Sequence, residues 1–335
     1  MDYQNDEEIK KDGKMSRVVY VNGEFVSEKD AKISIYDSAL MFGDMVFDMT
    51  RSYNKKQFKL REHLERLFRS MNSVEISIDL SIDELENACL ETIKKNEPFF
   101  NKTDEHRLMI NVSRGPLAIY EEIFDGQIKP TVIIADFPLK WTVRGMDRLY
   151  ETGINAVITS QKAIPENLMD PKIKNRSRLF YMMANIEVSK HSGDNNWALL
   201  LDPDNYVTEG TGANFFIVKN NILLTPEPRN ILVGISRGHV MEMAKELGIK
   251  CEERNLTTQD LLTADEAFFT GTPFAMLPVS SINGKLINNG VKGVIFSKLI
   301  SKWSETVNVN IPNQIKEFNK EVNSIKGPTP YQFKR

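Results

Sequence analysis

The hydrophobic pattern of this chain changes its period early, from the alternation of strands to the spacing of a helix. Residues 17–21 are apolar enough for a strand, and the Asn22-Gly23 dipeptide after them is a hairpin signal. Apolar side chains then recur at helical spacing at Leu60, Leu64, Leu67, Phe68 and Met71. Hairpin strands followed by a helix predict an α+β fold and argue against a doubly wound parallel sheet.

The rest of the chain is predicted to alternate strands and helices. A second hairpin is expected to run out at 45–51, turn at 54–56 and return at 57–59. Ser81 and Glu84 form a capping box that begins a helix. Further strands are predicted near 107–113, 130–136, 154–160, 197–201, 214–218, 222–225 and 266–270, and further helices near 177–190, 236–247 and 292–304.

The length of the chain and its breaks in periodicity predict two domains. At roughly 150 residues per domain, the 335 residues of the chain fit two domains. Pro138 and Gly145 interrupt the periodic pattern, so the interdomain linker is expected there. The predicted parts are a disordered arm at 1–14, a small N-terminal domain at 15–137, the linker at 138–146, a large domain at 147–307 and an extended tail at 308–335.

The balance of charges and the scarcity of cysteine exclude several classes of protein. The chain has 43 Lys and Arg against 46 Asp and Glu, which gives no basic footprint for nucleic acid. Its two cysteines, Cys89 and Cys251, cannot build a disulfide framework or a cysteine-rich zinc module. The four histidines lack a metal-ligand spacing, so no metal site is expected. The chain shows no apolar run of roughly 18 residues and no secretory signal, which predicts no membrane partner and a cytoplasmic location.

Two short segments of the second half are candidates for binding an anion. Gly234 precedes a predicted helix, where the free N–H groups of Ile235 and Ser236 suit phosphate. A plain helix start with a serine near its cap explains the same residues. Residues 269–274 place hydroxyl groups around a glycine, which suits either phosphate or an ordinary turn.

One carboxylate and two lysines are the candidates for chemistry. Glu209 stands among small residues that leave room for a flat group, and a solvated Glu in a Gly-rich loop is the alternative. Lys172 and Lys174 alternate around Ile173, so in an extended segment both lysines share one face. The cations between Lys172 and Arg178 also fit a solvated basic loop.

Five segments together carry a resemblance to a known family. They are residues 36–47, 61–66, 170–175, 208–210 and 234–237. In this order and at these separations they resemble the class IV, or fold type IV, pyridoxal-phosphate aminotransferases, over about residues 17–305. That family includes branched-chain and D-amino-acid aminotransferases, R-selective amine transaminases and aminodeoxychorismate lyase. The resemblance implies a smaller N-terminal α/β domain, a larger C-terminal pseudo-barrel domain and pyridoxal 5'-phosphate as the cofactor.

The resemblance also implies roles for individual residues. Lys174 matches the lysine that forms the Schiff base and moves the proton, and Lys172 is its rival because the residues after it resemble the lyase version. Glu209 matches the carboxylate beside the pyridine nitrogen, and Arg66 matches the guanidinium that grips the phosphate. The implied cofactor-binding set is Arg66, Lys174, Arg178, Glu209, Gly212, Ala213, Asn214, Ile235, Ser236 and Thr272.

The substrate-binding residues depart from the family pattern. Arg178 stands where many relatives place Tyr, and Arg107-Leu-Met109 stands where branched-chain enzymes carry a Tyr-x-Arg pair. Pro273 lacks the backbone N–H that relatives offer to the substrate carboxylate. Arg107 is either a replacement cation that faces inward or an exposed strand residue. The expected substrate-contacting set is Tyr36, Phe47, Arg107, Met109 and Pro273.

The function that the resemblance implies is enzymatic transamination dependent on pyridoxal phosphate. A small-molecule amino donor, either an amino acid such as a branched-chain one or an amine, would pass its amino group to a 2-oxo acid by a ping-pong mechanism. Relatives form homodimers, so at least a dimer is expected. A lyase of the same fold and a non-catalytic binding protein are the alternatives.

Overall fold

The computed structural model describes residues 16–193 and 195–320. The predicted arm at 1–14 and the end of the predicted tail lie outside this part of the chain. Within it, helices accompany two large sheets, and the predicted α+β class is confirmed. No helix of this part is both long and apolar enough to cross a lipid bilayer.

Backbone contacts divide the chain into two units. The first runs to Leu139 and includes the distant segment Lys174–Ser177, and the second comprises Lys140–Ile173 and the chain from Arg178 onward. Most of the region predicted as a linker, 138–146, is therefore the start of the second unit. Several apolar side chains of this region are buried, unlike those of a solvated linker.

Over the residues that the structure describes, the first unit contains a five-stranded antiparallel sheet and three α-helices. Its strands are β1 (Val18–Val21), β2 (Glu24–Ser27), β3 (Met45–Met49), β4 (Ser52–Tyr53), β5 (Lys56–Gln57), β6 (His106–Ser113) and β7 (Thr131–Pro138), and its α-helices are α1 (Ser38–Phe42), α2 (Leu60–Ser73) and α3 (Ile82–Asn96). The order along the sheet is β2-β1-β7-β6-β3, so β3 is an edge strand, and β4 and β5 pair separately. The capping box predicted at Ser81 and Glu84 begins α3.

The second predicted hairpin is wrong in its pairing. β3 pairs with β6, and the turn lies only between the two-residue strands β4 and β5. Val46, Phe47 and Asp48 are all buried in β3. β6 offers a cross-strand partner to each of the five residues of β3, whereas β5 is only two residues long.

The two faces of this sheet differ in what they carry. Ile110 lies on the face that carries α2, because its cross-strand partner Asp48 hydrogen-bonds to that helix. Arg107 and Met109 alternate with Ile110 and so point to the opposite face. Phe47 of β3 points to that same opposite face. Three of the predicted substrate residues therefore share one face of the sheet.

The second unit contains a mixed nine-stranded sheet and seven α-helices within the described residues. Its strands are β8 (Ile154–Lys162), β9 (Asn196–Leu201), β10 (Val207–Gly210), β11 (Asn214–Lys219), β12 (Ile222–Thr225), β13 (Cys251–Glu253), β14 (Glu266–Gly271), β15 (Ala275–Ile282) and β16 (Lys285–Leu286). The helices are α4 (Lys140–Val143), α5 (Leu149–Thr152), α6 (Leu179–Val188), α7 (Ile235–Glu246), α8 (Thr258–Leu262), α9 (Val294–Thr306) and α10 (Ile311–Lys320). The order is β10-β9-β8-β15-β14-β11-β12-β13, and β16 pairs with β15.

Two segments of the second unit differ from their predictions. The Gly-rich run that reads as a loop forms β10, whose four residues are all buried. The extended tail is wrong for the described residues after Asn308, because α10 forms there and buries Ile311, Ile315 and Phe318. Their spacing of i, i+4 and i+7 is a helical stripe that the Asn- and Lys-rich composition obscures.

Candidate active site

The segment around Lys174 is attached to the free edge of β3. The N–H of Phe47 donates to the carbonyl of Lys174 at 2.9 Å, and the N–H of Arg176 donates to the carbonyl of Met45 at 2.8 Å. On its other side, the N–H of Lys174 donates to the Oγ of Ser70 at 3.1 Å. The segment thus satisfies the edge of the sheet, which explains why it belongs to the first unit.

The two candidate lysines have different surroundings. The Nζ of Lys174 lies 4.9 Å from the centroid of the buried Phe47 ring, and Lys174 is half-buried. The side chain of Lys172 is 50% exposed and lies 3.9 Å from a carboxylate oxygen of Asp170. Such an exposed ion pair contributes little to the stability of the fold. The interpretation as a solvated basic loop therefore fits Lys172 and does not fit Lys174.

Arg66 belongs to a buried ion cluster on α2. Its Nε and Nη2 donate to the two carboxylate oxygens of Asp48 at 2.9 and 2.8 Å, and the Nδ1 of His63 lies 2.7 Å from the same carboxylate. Burial alone would raise the pKa of Asp48, but Arg66 and His63 outweigh it and hold that pKa well below its usual range. Burial lowers the pKa of His63. The ionised carboxylate fixes the guanidinium plane of Arg66.

Glu209 is buried on β10 and accepts hydrogen bonds from Tyr181, Asn214 and Leu232. The phenol of Tyr181 donates to its Oε1 at 2.7 Å. The Nδ2 of Asn214 and the N–H of Leu232 donate to its Oε2 at 2.9 and 3.2 Å. Donors on every side favour the charged form of a carboxylate. Glu209 is only 6% exposed, so the interpretation as a solvated loop residue is wrong.

The N-terminus of α7 lies beside this carboxylate. Gly234 is the N-cap residue and has no side chain to cap the N–H groups of Ile235 and Ser236. A Cβ at Gly234 would overlap the Oδ1 of Asn214, whose Nδ2 binds both Glu209 and the carbonyl of Leu232. The close approach of Asn214 therefore requires glycine at the N-cap of α7.

The remaining predicted cofactor residues of the second unit lie in two turns. Gly212, with a φ of 119°, and Ala213 connect β10 to β11. Thr272 and Pro273 are half-buried in the turn between β14 and β15. The two turns are neighbours, because a Cβ on Gly271 would lie 3.5 Å from the carbonyl oxygen of Gly212.

The family model for class IV amino-transferases matches residues 45–282. The chain belongs to the class IV aminotransferases. The predicted fold type IV architecture and the predicted transaminase activity are confirmed by this match and by the relatives below. Enzymes of this class use pyridoxal 5'-phosphate, which is the cofactor that the sequence predicts.

Individual relatives agree with this assignment. A putative branched-chain-amino-acid aminotransferase of Methanocaldococcus jannaschii is 39% identical over 289 residues, which cover 86% of this chain and 95% of that protein. D-alanine aminotransferase of Bacillus licheniformis is 31% identical over 276 residues, 82% of this chain and 92% of that protein. The solved structure of the branched-chain amino acid aminotransferase of Escherichia coli has a TM-score of 0.76 at 30% identity, and the match covers 85% of this chain and 92% of that one.

The residues of this aminotransferase fit the cofactor's chemical needs. The cofactor requires an amine, a carboxylate for its ring nitrogen and an anion site for its phosphate. Lys174 provides a half-buried amine, and Glu209 a buried carboxylate that already accepts three donors. The first turn of α7, which has no side-chain cap, would suit the phosphate. Of the predicted site residues, the first unit contains Tyr36, Phe47, Arg66, Arg107, Met109 and Lys174, and the second unit contains Arg178, Glu209, Gly212, Ala213, Asn214, Ile235, Ser236, Thr272 and Pro273.

Two of the predicted substrate residues, Arg107 and Tyr36, lie against other side chains of the first unit. Arg107 is 7% exposed, and its Nη2 lies 3.6 Å from the sulfur of Met49, so the alternative of an exposed strand residue is wrong. Tyr36 packs its ring against Tyr120 and Phe124, at centroid distances of 4.6 and 6.4 Å. Tyr36 is thus part of an aromatic cluster with the 3-10 helix Ala118–Phe124.

The sequence did not predict two residues, Arg176 and Tyr181, that contact the predicted site residues. Arg176 stacks its guanidinium 3.6 Å from the centroid of the Phe47 ring, and its Nε and Nη2 donate to the Oδ1 of Asn111 at 3.0 and 2.7 Å. Two-residue alternation from Lys174 would have placed Arg176 on the same face. Tyr181 lacked such a signal, because its partner Glu209 is distant in sequence.

Proposed function

We propose that this aminotransferase uses Lys174 as the lysine that binds the cofactor and moves the proton in transamination. The observation that carries the proposal is the way Lys174 is held. Its backbone is tied by Phe47 and Ser70, and its amine lies over the Phe47 ring. A fixed backbone and a partly desolvated amine suit a nucleophile, whereas Lys172 is solvated.

The other residues are proposed to bind and orient the cofactor. When bound, pyridoxal phosphate supplies an electron sink for the substrate carbon. Glu209 holds a proton on the ring nitrogen. Arg66 and the N–H groups of Ile235 and Ser236 bind the phosphate, with the Thr272 hydroxyl beside them. The residues Arg178, Gly212, Ala213 and Asn214 complete the proposed set.

Reduction with borohydride tests the lysine. The wild-type holoenzyme should be yellow and should retain a covalent label on Lys174 after reduction and peptide mapping. Lys174→Ala should abolish the label, whereas the matched variant Lys172→Ala should keep both label and activity. A label on Lys172 would overturn the assignment.

We further propose that the amino donor is a branched-chain amino acid and the acceptor a 2-oxo acid. Phe47 and Met109 give the shared sheet face an apolar surface that suits an aliphatic side chain. Arg107 on the same face offers a cation for a substrate carboxylate. The 39% sequence identity to the putative branched-chain-amino-acid aminotransferase of Methanocaldococcus jannaschii supports this donor class.

A donor panel tests this substrate assignment. L-leucine, L-isoleucine, L-valine, D-alanine and R-1-phenylethylamine should be compared with 2-oxoglutarate and with pyruvate as acceptors. The branched-chain L-amino acids should give the highest kcat/KM. Arg107→Ala should raise the KM of the oxo acid more than it lowers kcat. A preference for D-alanine would contradict the donor class, and an unchanged KM would contradict the role of Arg107.

We also propose that the protein is a homodimer in the cytoplasm. Ile35, Leu40, Phe42 and Ile119 are 69, 64, 64 and 79% exposed, and the contact between Tyr36 and Tyr120 brings their segments together. Exposed apolar patches of this kind mark interaction surfaces. Both cysteines are free thiols, as expected in a reducing compartment.

Light scattering after gel filtration tests the dimer. The wild type should have twice the mass of the 38.3 kDa chain. Ile119→Glu should produce monomer, whereas Leu286→Glu, which changes an exposed apolar residue of the second unit, should not. A monomeric wild type would contradict the dimer, and cell fractionation tests the location.

A further inference from the structure

The phenol of Tyr181 is directed at the carboxylate of Glu209. Tyr181 lies in the first turn of α6, is 9% exposed and donates to the Oε1 of Glu209 at 2.7 Å. The other oxygen, Oε2, is shared by Asn214 and the N–H of Leu232. Tyr181 is thus a donor to Oε1, while the donors to Oε2 come from the start of β11 and from the loop before α7.

The ring of Tyr181 is held as firmly as its hydroxyl. It belongs to a buried apolar cluster with Val157, Ala184 and Leu200, and Phe180 packs on it at a centroid distance of 4.3 Å. Burial, followed by the charge of Glu209, raises the pKa of Tyr181 well above its usual value. The phenol therefore stays protonated and acts as a donor to the carboxylate.

This tyrosine lies close to one departure from the family pattern. Arg178 stands where many relatives place Tyr, and its guanidinium lies 5.1 Å from the centroid of the Tyr181 ring. The phenol that this chain provides lies one helical turn later and is engaged with Glu209. Its hydrogen bond is thus directed at the carboxylate proposed to face the ring nitrogen.

We propose that Tyr181 is a positioning residue that orients Glu209 and maintains its negative charge toward the ring nitrogen of the cofactor. The inference rests on the proposed role of Glu209. Without the phenol, Oε1 would lose a donor and the carboxylate would rotate or accept a proton more readily. The ring nitrogen would then hold its own proton less firmly.

The test is Tyr181→Phe, with Tyr150→Phe as the matched control. Tyr150 is also buried in the second unit and donates its hydroxyl to the carbonyl of Phe274 at 2.6 Å. Each holoenzyme is reconstituted with pyridoxal phosphate labelled with ¹⁵N in the ring, and the ¹⁵N chemical shift is followed against pH. Tyr181→Phe should move the shift toward that of unprotonated pyridine and lower kcat about tenfold with little change in KM. Tyr150→Phe should leave the shift unchanged.

The outcomes separate this inference from the proposed function. Glu209→Gln should displace the ¹⁵N shift further than Tyr181→Phe. If Glu209→Gln has no effect, the proposed role of Glu209 fails. If Glu209→Gln acts and Tyr181→Phe leaves the shift at its wild-type value, the inference about Tyr181 is overturned. If Tyr181→Phe does not fold, 3,5-difluorotyrosine at this position keeps the ring and makes a stronger donor; it should move the shift in the opposite direction, and an unchanged shift would refute the proposal.

Discussion

The N–H of Phe47 donates a 2.9 Å hydrogen bond to the carbonyl of Lys174, although the two residues are far apart in the chain. Val46 and Asn175 form an antiparallel bridge beside it. The lysine segment is thus bridged to the edge strand of the first sheet. Its rigidity comes from β3, and the position of the amine depends on backbone bonds as well as on side chains.

Ser70→Ala should loosen this segment. The Oγ of Ser70 accepts from the N–H of Lys174 at 3.1 Å, and Ser70 is 2% exposed. We expect the free energy of unfolding to fall by about 1 kcal/mol. Amide hydrogen exchange in the peptide that contains Lys174 should become faster. Mass spectrometry of peptic fragments measures this exchange.

Ser73→Ala is the control on the same helix. The hydroxyl of Ser73 donates only to the carbonyl of Arg69 on the exposed side of α2. Its removal should change stability by less than about 0.5 kcal/mol and leave exchange near Lys174 unaltered. Equal rates of amide hydrogen exchange near Lys174 in Ser70→Ala and Ser73→Ala would contradict the role given to Ser70.

Asp48→Asn should destabilise the first unit and weaken cofactor binding. The amide leaves the buried guanidinium of Arg66 without its counterion, which costs about 3 kcal/mol or more at pH 7. The pKa of Asp48 is lower in the folded state than in the unfolded chain. Its contribution to stability is therefore complete above the unfolded pKa of about 4 and is lost as the pH falls below that value.

The measurement is urea unfolding of both proteins from pH 7 to pH 3. The difference between the wild type and Asp48→Asn should narrow below about pH 4. Asp83→Asn serves as the control, because the side chain of Asp83 is 75% exposed. A difference between the wild type and Asp48→Asn that stays constant across this range would count against an ionised, buried Asp48.

Gly234→Ala should impair cofactor binding. The new Cβ would overlap the Oδ1 of Asn214, which would have to move and release Glu209 or Leu232. Overpacking of this kind costs roughly 1–3 kcal/mol, so the Kd of the apoenzyme for pyridoxal phosphate should rise by about tenfold or more. Fluorescence titration of the apoenzyme measures the Kd.

Gly238→Ala is the control in the same helix. A Cβ at Gly238 meets no other atom within 4 Å. The change should leave the Kd unaltered and stabilise α7 by roughly 0.5–1 kcal/mol. If both variants bind pyridoxal phosphate as the wild type does, Asn214 does not hold the site in the proposed way.

His106→Gln should remove a pH-dependent part of the stability. Burial alone would lower the pKa of His106, but Asp136 and Glu97 outweigh it and raise that pKa. A charged His106 stabilises the fold fully below the unfolded pKa of about 6.5, and this contribution is lost as the pH rises through the folded value. Wild-type stability should thus fall more than that of the variant between pH 6 and 9.

Thermal unfolding at several pH values measures this difference. His191→Gln is the control, because His191 is exposed. The same pH slope in the wild type and in His106→Gln would mean that His106 is neutral in the folded protein.

Local sequence determined most elements and the chemical types in the site. The stripe from Leu60 to Met71 forms α2, and the capping box begins α3 where Ser81 and Glu84 predict it. Gly234 directly precedes a helix, as its motif predicts. These features depend on neighbours within a few residues, so the chain order alone contains their information.

Tertiary structure decided what distant residues do to one another. The partner of β3 is β6, and the Gly-rich run around Glu209 is a buried strand. Lys172 and Lys174 look alike in the sequence, and only the fold exposes one and ties the other to β3. Burial and pairing across long sequence separations arise from packing, which no local pattern encodes.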